Sequence, residues 1–545
     1  VIVYSYDAAT GKYNTVNGGP VTPELTMKQT NRSLQTYNLS INYEKAFGEN
    51  HVKSFLAYEQ SEQKAYWFTA FRKGFLSTQI PVLDMGGSDP LDKTVSGNEE
   101  KFTRRNYFGR LSYDHSQKYL AEVQFRYDGS SRFAKGKQYG FFPSTSVGWR
   151  ISKENWFNVS QISNLKLRAS YGLLGNDRVD PFQYLNSFGY LPNNYLLDGS
   201  PVSTFKIAQL ANPDITWEKA KKLDVGLEIS FLDYFNAEID YFHESRNDLL
   251  IPRSGSIPMV SGIVNQYGGS IIPYENIGKV ANGGFEFQLG YSQNFGKMHV
   301  FANGNFTYNK SDVKFLDDPE GIPDYQRQVG KPLGSQLLYQ HIGIFRTEED
   351  LTKYISLTGN VPGDLIYADA NKDGKITADD RVRESLSNVP QVVYGLTGGF
   401  EYKSIDFSLM LQGQARVVQF VMPESGEIGN FFSSWADNRW SPANTNGSYP
   451  RVDTRTSSSI NGGLYRNDFW LNNTAFLRIK NVEVGYTLPS SFLSRLHVQK
   501  TRLYANVSNL LTFTKVKDYD PEGTSESAQF YPQLRTFNFG VNVSF

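Results

Sequence analysis

Not one of the 545 residues is a cysteine, which excludes a disulfide scaffold, a thiolate metal site and a cysteine nucleophile. Net charge is lacking too. The 55 Lys plus Arg balance 55 Asp plus Glu, so no basic field favours nucleic acid as a partner. No run of about 18 apolar residues occurs, which excludes transmembrane helices. The six histidines contain no HExxH-type pair, and His115, His243 and His341 read as ordinary strand or loop residues. The glycines around Asp128–Arg132 and Lys135–Lys137 match neither a P-loop nor a dinucleotide fingerprint. A hairpin loop explains them better, since Gly and Ser favour turns.

What is abundant is aromatic: 34 Tyr, 38 Phe and 7 Trp make up 14% of the chain. That suits the girdles at the two interfaces of a membrane-spanning barrel. The last ten residues show the pattern that decides the reading. Phe537, Phe539, Val541, Val543 and Phe545 fall on one face of a strand; Thr536, Asn538, Gly540, Asn542 and Ser544 fall on the other. The same alternation runs through 165–171, 225–231, 237–241, 300–308 and 405–416. Charged residues at every second position would be odd in a packed core, but they are expected where a wide lumen holds water. The fold class is therefore all-β, a transmembrane antiparallel β-barrel facing membrane lipid.

The period-2 template finds about sixteen strands, near 1–7, 33–47, 51–70, 101–115, 118–128, 139–152, 165–175, 216–232, 235–250, 282–294, 298–313, 391–403, 404–419, 476–488, 499–514 and 533–545. Short links, at Asp233-Tyr234 and Phe295-Gly296-Lys297, read as periplasmic turns. Long links at 71–100, 176–215, 251–281, 314–390 and 420–475 read as extracellular loops. The opening residues, Val1 to Asp7, read as the tail of a strand, so the chain is expected to be a mature or truncated portion of something longer.

Two loops carry candidate sites. Residues 369–380, DANKDGKITADD, place Asp369, Asn371 and Asp373 at positions 1, 3 and 5 of a calcium loop. Gly374 takes the turn position, Lys375 offers a backbone carbonyl and Asp380 closes the loop. Asp in place of the usual Glu shortens the closing ligand, and a run of Asx turns without metal is the alternative. In the 420–475 loop, Trp435, Trp440, Tyr449, Phe469 and Trp470 are candidates for substrate contact through their ring faces, or for packing the loop down. The adjacent carboxylates Asp317-Asp318 and Asp379-Asp380 make poor glycosidase pairs, because neighbours along an extended chain point apart. No catalytic residues are assigned, and the protein is expected not to be an enzyme.

Several stretches resemble the SusC-like branch (SusC/RagA) of TonB-dependent outer-membrane transporters from Bacteroidetes. They are RYDGSSRFAKGKQYGFFPSTSVGWRISKENWF at 126–157, LKLRASYGLLGN at 165–176, TWEKAKKLDVGLEISFLD at 216–233, PGDLIYADANKDGKITADDR at 362–381, NRWSPANTNGSYPRVD at 438–453, FLRIKNVEVGYTLP at 476–489 and YANVSNLLTFTKVKDYDPE at 504–522. The aromatic-terminated last strand also resembles the assembly signal of bacterial outer-membrane proteins. The resemblance implies a barrel of about 22 strands, a plug, a TonB box and a SusD-like lipoprotein over the extracellular mouth. This chain is expected to be the C-terminal barrel portion, with the plug and first strands lying outside it. The cargo implied is an oligosaccharide or oligopeptide, and the place the bacterial outer membrane. A passive porin-like channel, or a secreted β-rich adhesin or glycan-binding module, are the alternatives from other classes.

Overall fold

The computed structural model describes residues 2–7, 12–17, 22–253, 255–257, 259–261, 271–422, 432–452, 459–489, 498–529 and 531–545. Val1 and parts of the expected loops at 251–281 and 420–475 lie outside them.

One sheet of fifteen strands dominates. In chain order these are Glu24–Phe47, Asn50–Lys73, Lys93–His115, Tyr119–Ser130, Tyr139–Arg150, Ile162–Asn176, Glu218–Phe231, Phe235–Pro252, Tyr274–Phe295, Met298–Phe315, Val392–Tyr402, Ile405–Ala415, Phe476–Thr487, Lys500–Thr514 and Thr536–Ser544. Each pairs antiparallel with the strand before and after it in this series. The sequence template expects sixteen; the odd one out is the first. Ile2–Asp7 pairs with Lys12–Asn17 in a separate hairpin instead of joining the wall. Among the described residues no pairing joins the two edge strands, Glu24–Phe47 and Thr536–Ser544.

Faces follow the alternation. Val225 and Ile239 show exposed apolar side chains on one face, as do Phe285, Val484, Leu503 and Phe537. The opposite face holds paired charges. Arg168 lies 2.9 Å from Asp224 and 2.7 Å from Asp240, and also meets Glu228 and Glu238. Gly226 stands between Arg168 and Asp240 across the ladder, and a Cβ there would collide with both side chains. Arg502 similarly bridges Asp406 and Glu483. An exposed apolar face backed by an ion-paired polar one is the sidedness of a strand wall between lipid and water.

Some strands run further than the alternation shows. Glu24–Phe47 has 24 residues, a span of roughly 80 Å, whereas about ten residues cross the hydrocarbon. The expected strands at 33–47, 101–115 and 282–294 therefore begin earlier, at Glu24, Lys93 and Tyr274. Beyond the lipid both faces meet water, so residues such as Lys28, Gln29 and Thr30, polar on both faces, stay in the ladder opposite Thr69, Phe68 and Trp67.

The rims differ. One carries short turns at 48–49, 116–118, 232–234, 296–297 and 403–404. Leu232 and Asp233 adopt φ of 56° and 62°, the left-handed geometry that matches the twist of a tight hairpin. On the same rim Glu154 accepts hydrogen bonds from Tyr119 Oη at 2.7 Å and Trp149 Nε1 at 2.9 Å, and pairs with Lys118 at 2.7 Å. Those partners hold its carboxyl at about 2, Lys118 contributing most. The other rim carries the long loops, which contain their own small structures. The expected loop at 176–215 folds into the hairpin Ser187–Leu197 with Ser200–Gln209. The loop at 314–390 pairs Leu337–Tyr339 with Arg381–Arg383, and His341–Ile344 with Leu365–Tyr367. Tyr119–Ser130 pairs with Tyr139–Arg150 across the 131–138 link, which confirms the turn reading of the glycines there, and Phe133 of that link packs with Phe142, Ile215 and Trp217.

Candidate functional site

The long-loop rim contains a cleft of about 430 Å³ between the 416–475 and 515–535 loops. Its floor is aromatic. Trp435 lies on the short helix Ser433–Asn438, and Trp470 ends the 3₁₀ turn Asp468–Trp470. Asn467 caps that turn by accepting the Phe469 N–H at 3.2 Å. Val418–Phe420 pairs with Leu471–Asn473, closing the base of a loop more than fifty residues long. The Trp435 and Trp470 rings stand 4.8 Å apart, and Phe469 lies 4.9 Å from Trp470 and 5.7 Å from Tyr449.

Four of the five aromatic candidates, Trp435, Tyr449, Phe469 and Trp470, line this cleft. Trp440 does not. It packs in a neighbouring cluster with Tyr339, Leu365 and Tyr367, and donates its indole N–H to the Arg346 carbonyl at 3.3 Å. Trp435 and Trp470 are only 2% and 3% exposed, and their N–H groups donate to the carbonyls of Pro450 and Asn461. These two rings form the floor, while Tyr449 and Phe469 in the same lining are partly exposed.

The far wall comes from residues outside the sequence-based candidates. Tyr519 stacks on Phe432 at 6.3 Å, and burial raises its hydroxyl pKa. Ser434 Oγ donates to Asp518 at 2.6 Å, joining the two loops. Lys515 and Lys517 also line the cleft, both exposed. Arg478, on the wall strand Phe476–Thr487 and 1% exposed, fixes this second loop. Its guanidinium binds Asp520 at 2.8 Å, Gln533 at 2.9 Å, Thr512 at 2.9 Å, and Glu522. The stretch KVKDYDPE at 515–522 supplied the signal for all of this, but as a family-like motif and not as a wall of a cleft.

A second buried charge secures the neighbouring loops. Asp364, fully buried, binds Arg451 at 2.6 Å and the Asn461 amide at 2.8 Å. His341 pairs with Asp468 at 2.6 Å, one residue before Phe469.

The loop at 369–380 forms the expected turn, with Lys372 and Gly374 at φ of 63° and 83°. Asp369 accepts the Asp373 and Gly374 N–H groups at 3.1 and 2.8 Å. Asp373 accepts the Lys375 N–H at 2.9 Å, and Asn371 bonds to Asp373. Asp380, fully buried, accepts from the N–H groups of Ala370, Asn371 and Thr377. Among the described residues no group of three or more His, Asp or Glu side chains converges as a metal cage. The adjacent carboxylates are likewise spent on loop backbone, Asp317 on the Gly255 and Ser256 N–H groups and Asp318 on Gln328.

A family model described as TonB dependent receptor-like, beta-barrel, matches residues 2–510. TonB-dependent receptor P3 of Formosa agariphila is 28% identical over 562 residues, an alignment covering 97% of this chain and 54% of that protein. TonB-dependent receptor SusC of Bacteroides thetaiotaomicron is 27% identical, over 94% of this chain and 50% of its own length. The structure of the RagAB peptide transporter shares the fold with a TM-score of 0.76 at 21% identity, over 96% of this chain and 56% of that one. The chain spans about half the length of the curated relatives it matches.

Proposed function

This chain belongs to the TonB-dependent receptor-like β-barrel family, and on that premise we propose that the whole protein imports oligosaccharides or oligopeptides across the bacterial outer membrane. The wall described above is an outer-membrane β-barrel wall. In the proposed scheme a SusD-like surface lipoprotein closes the extracellular mouth, and TonB acts through a plug and TonB box supplied outside this chain. Transport breaks no covalent bond, so the scheme assigns no catalytic residue.

The observation that carries this reading is the sidedness of the sheet. Exposed apolar residues occupy one face, ion-paired residues the other, and the long loops between wall strands stand on one rim. The relative named SusC and the solved RagAB peptide transporter support it. We assign Trp435, Tyr449, Phe469 and Trp470 to a cargo cleft, with the two tryptophans as floor. Trp440 is assigned to holding the adjacent loop.

Energy-coupled uptake by the complete protein, with its lipoprotein partner, tests the reading. Deleting the TonB box should abolish accumulation of oligosaccharide or oligopeptide cargo while leaving the barrel in the membrane. Undiminished uptake after that deletion, or steady ion conductance without TonB, would indicate a passive channel instead.

A calcium ion in the 369–380 loop is a further proposal resting on donor spacing. Asp369, Asn371, Asp373 and the Lys375 carbonyl are its donors. Asp380, engaged with three N–H groups, anchors the loop and would join the donors only by releasing them. A melting temperature that does not move between calcium and chelator would remove the metal from the scheme.

A further inference from the structure

We propose that the rim cleft is a binding site for an acidic oligosaccharide, one carrying carboxylate or sulfate groups on its sugar units. This inference rests on the importer reading and narrows its cargo. Tyr449, Phe469 and Tyr519 present partly exposed rings, surfaces that suit the apolar face of a sugar. Asn438 and Asn472 also line the cleft; one amide N–H of each donates to the Ser434 and Trp470 carbonyls, and the amide oxygens and second N–H groups suit sugar hydroxyls as acceptors and donors.

Charge supplies the second part of the argument. Lys515 and Lys517 line the cleft and are exposed, and among the described residues neither has a carboxylate partner. The one acidic side chain in the lining, Asp518, already accepts from Ser434. Two exposed lysines without carboxylate partners in the lining of an aromatic cleft favour an anionic ring over a neutral one.

An acidic peptide fits the lysines but not the rest. Extended peptides add to a strand edge through backbone hydrogen bonds. Here the strand Val418–Phe420 is paired with Leu471–Asn473 on one edge, and on the other the Val418 and Met422 N–H groups donate to the carbonyls of Ser387 at 3.1 Å and Glu526 at 2.7 Å.

The test uses the complete protein in detergent and reads tryptophan fluorescence, since Trp435 and Trp470 form the floor. The probes are tetragalacturonate, a sulfated carrageenan tetrasaccharide, maltotetraose and tetraglutamate. At least one of the two anionic saccharides should bind, with affinity falling as salt rises. The double variant K515Q/K517Q should weaken that binding about tenfold or more while retaining the heat-modifiable gel shift of a folded barrel. Failure of both anionic saccharides, equal binding of maltotetraose, or an unaffected double variant would overturn the proposal. Equal binding of tetraglutamate would assign the cleft to acidic peptides and overturn it as well. Uptake separates the two readings. If no acidic saccharide binds but TonB-dependent uptake of another cargo persists, only the cleft assignment falls. If no uptake depends on TonB, the importer reading falls whatever the cleft binds.

Discussion

On the wall, Ile239 has 45% of its surface exposed, while across the same sheet Arg168 and Asp240 are drawn together at 2.7 Å. In the rim loops the arrangement is the reverse. Trp435 and Trp470 are almost fully buried while Lys515 and Lys517 stand at the loop surface; Leu464, 64% exposed, is a local exception. The two regions obey one principle in different solvents. Apolar groups leave water in both, toward lipid in the wall and toward each other in the loops. Exposure alone therefore says nothing about whether an apolar residue can be replaced; its solvent does.

Where the two regions are stitched together, breaking the stitch should have the largest effect. Arg478 is a wall residue that binds Asp520, Glu522 and Gln533 of the 515–535 loop. Arg478→Ala leaves Asp520 and Glu522 beside a lost cation, a loss on the order of 3–5 kcal/mol for a buried pair. Hydrogen exchange should show the loop released, and binding at the cleft should weaken. Unchanged protection at 515–529 would show that the tether is redundant.

The comparison itself is sharpened by placing one change on each side. Ile239→Lys puts a charge into lipid and should cost about 2–4 kcal/mol near the bilayer midplane, read as a lower denaturant midpoint in detergent or lipid. Leu464→Lys, at a more exposed site, should stay within about 0.5 kcal/mol. Equal effects would mean that the outward face of the wall does not meet hydrocarbon.

The short-turn rim offers a smaller, pH-dependent test. Glu154 is held at about 2, below its ordinary value of 4.5. Its contribution is thus complete above that ordinary value and is lost as pH falls from there toward 2. The native protein should lose melting temperature over that interval more steeply than Glu154→Gln. Parallel curves for the two would show that Lys118, Tyr119 and Trp149 do not stabilise the ionised form.

Sequence made the wall legible because lipid imposes a strict period of two, as along Val225, Leu227 and Ile229. It did not show where the strands continue past the lipid, since Lys28 to Thr30 carry no apolar face to count. The site was partly legible. Trp435, Tyr449, Phe469 and Trp470 stood out as loop aromatics, but their grouping depends on the three-residue pairing of Val418–Phe420 with Leu471–Asn473, too short to leave a pattern. Tyr519, Lys515 and Lys517 join them through contacts far apart in the chain: Arg478 reaches residues more than forty positions away, and Ser434 bonds to Asp518. Nothing local in the sequence announces a buried ion pair across that distance.

The wall joins each strand to its neighbours in chain order, and this has a consequence for how such a chain can change over generations. Removing one residue near the start of Phe235–Pro252 would turn the rest of that strand inside out, setting Ile239 against water and Asp240 against lipid. Removing or copying a whole pair of strands with its turn would leave every remaining residue on its proper side and alter only the circumference. Heritable variation in this architecture is therefore quantised: the acceptable step is the hairpin, and the single-residue indel is confined to the loops.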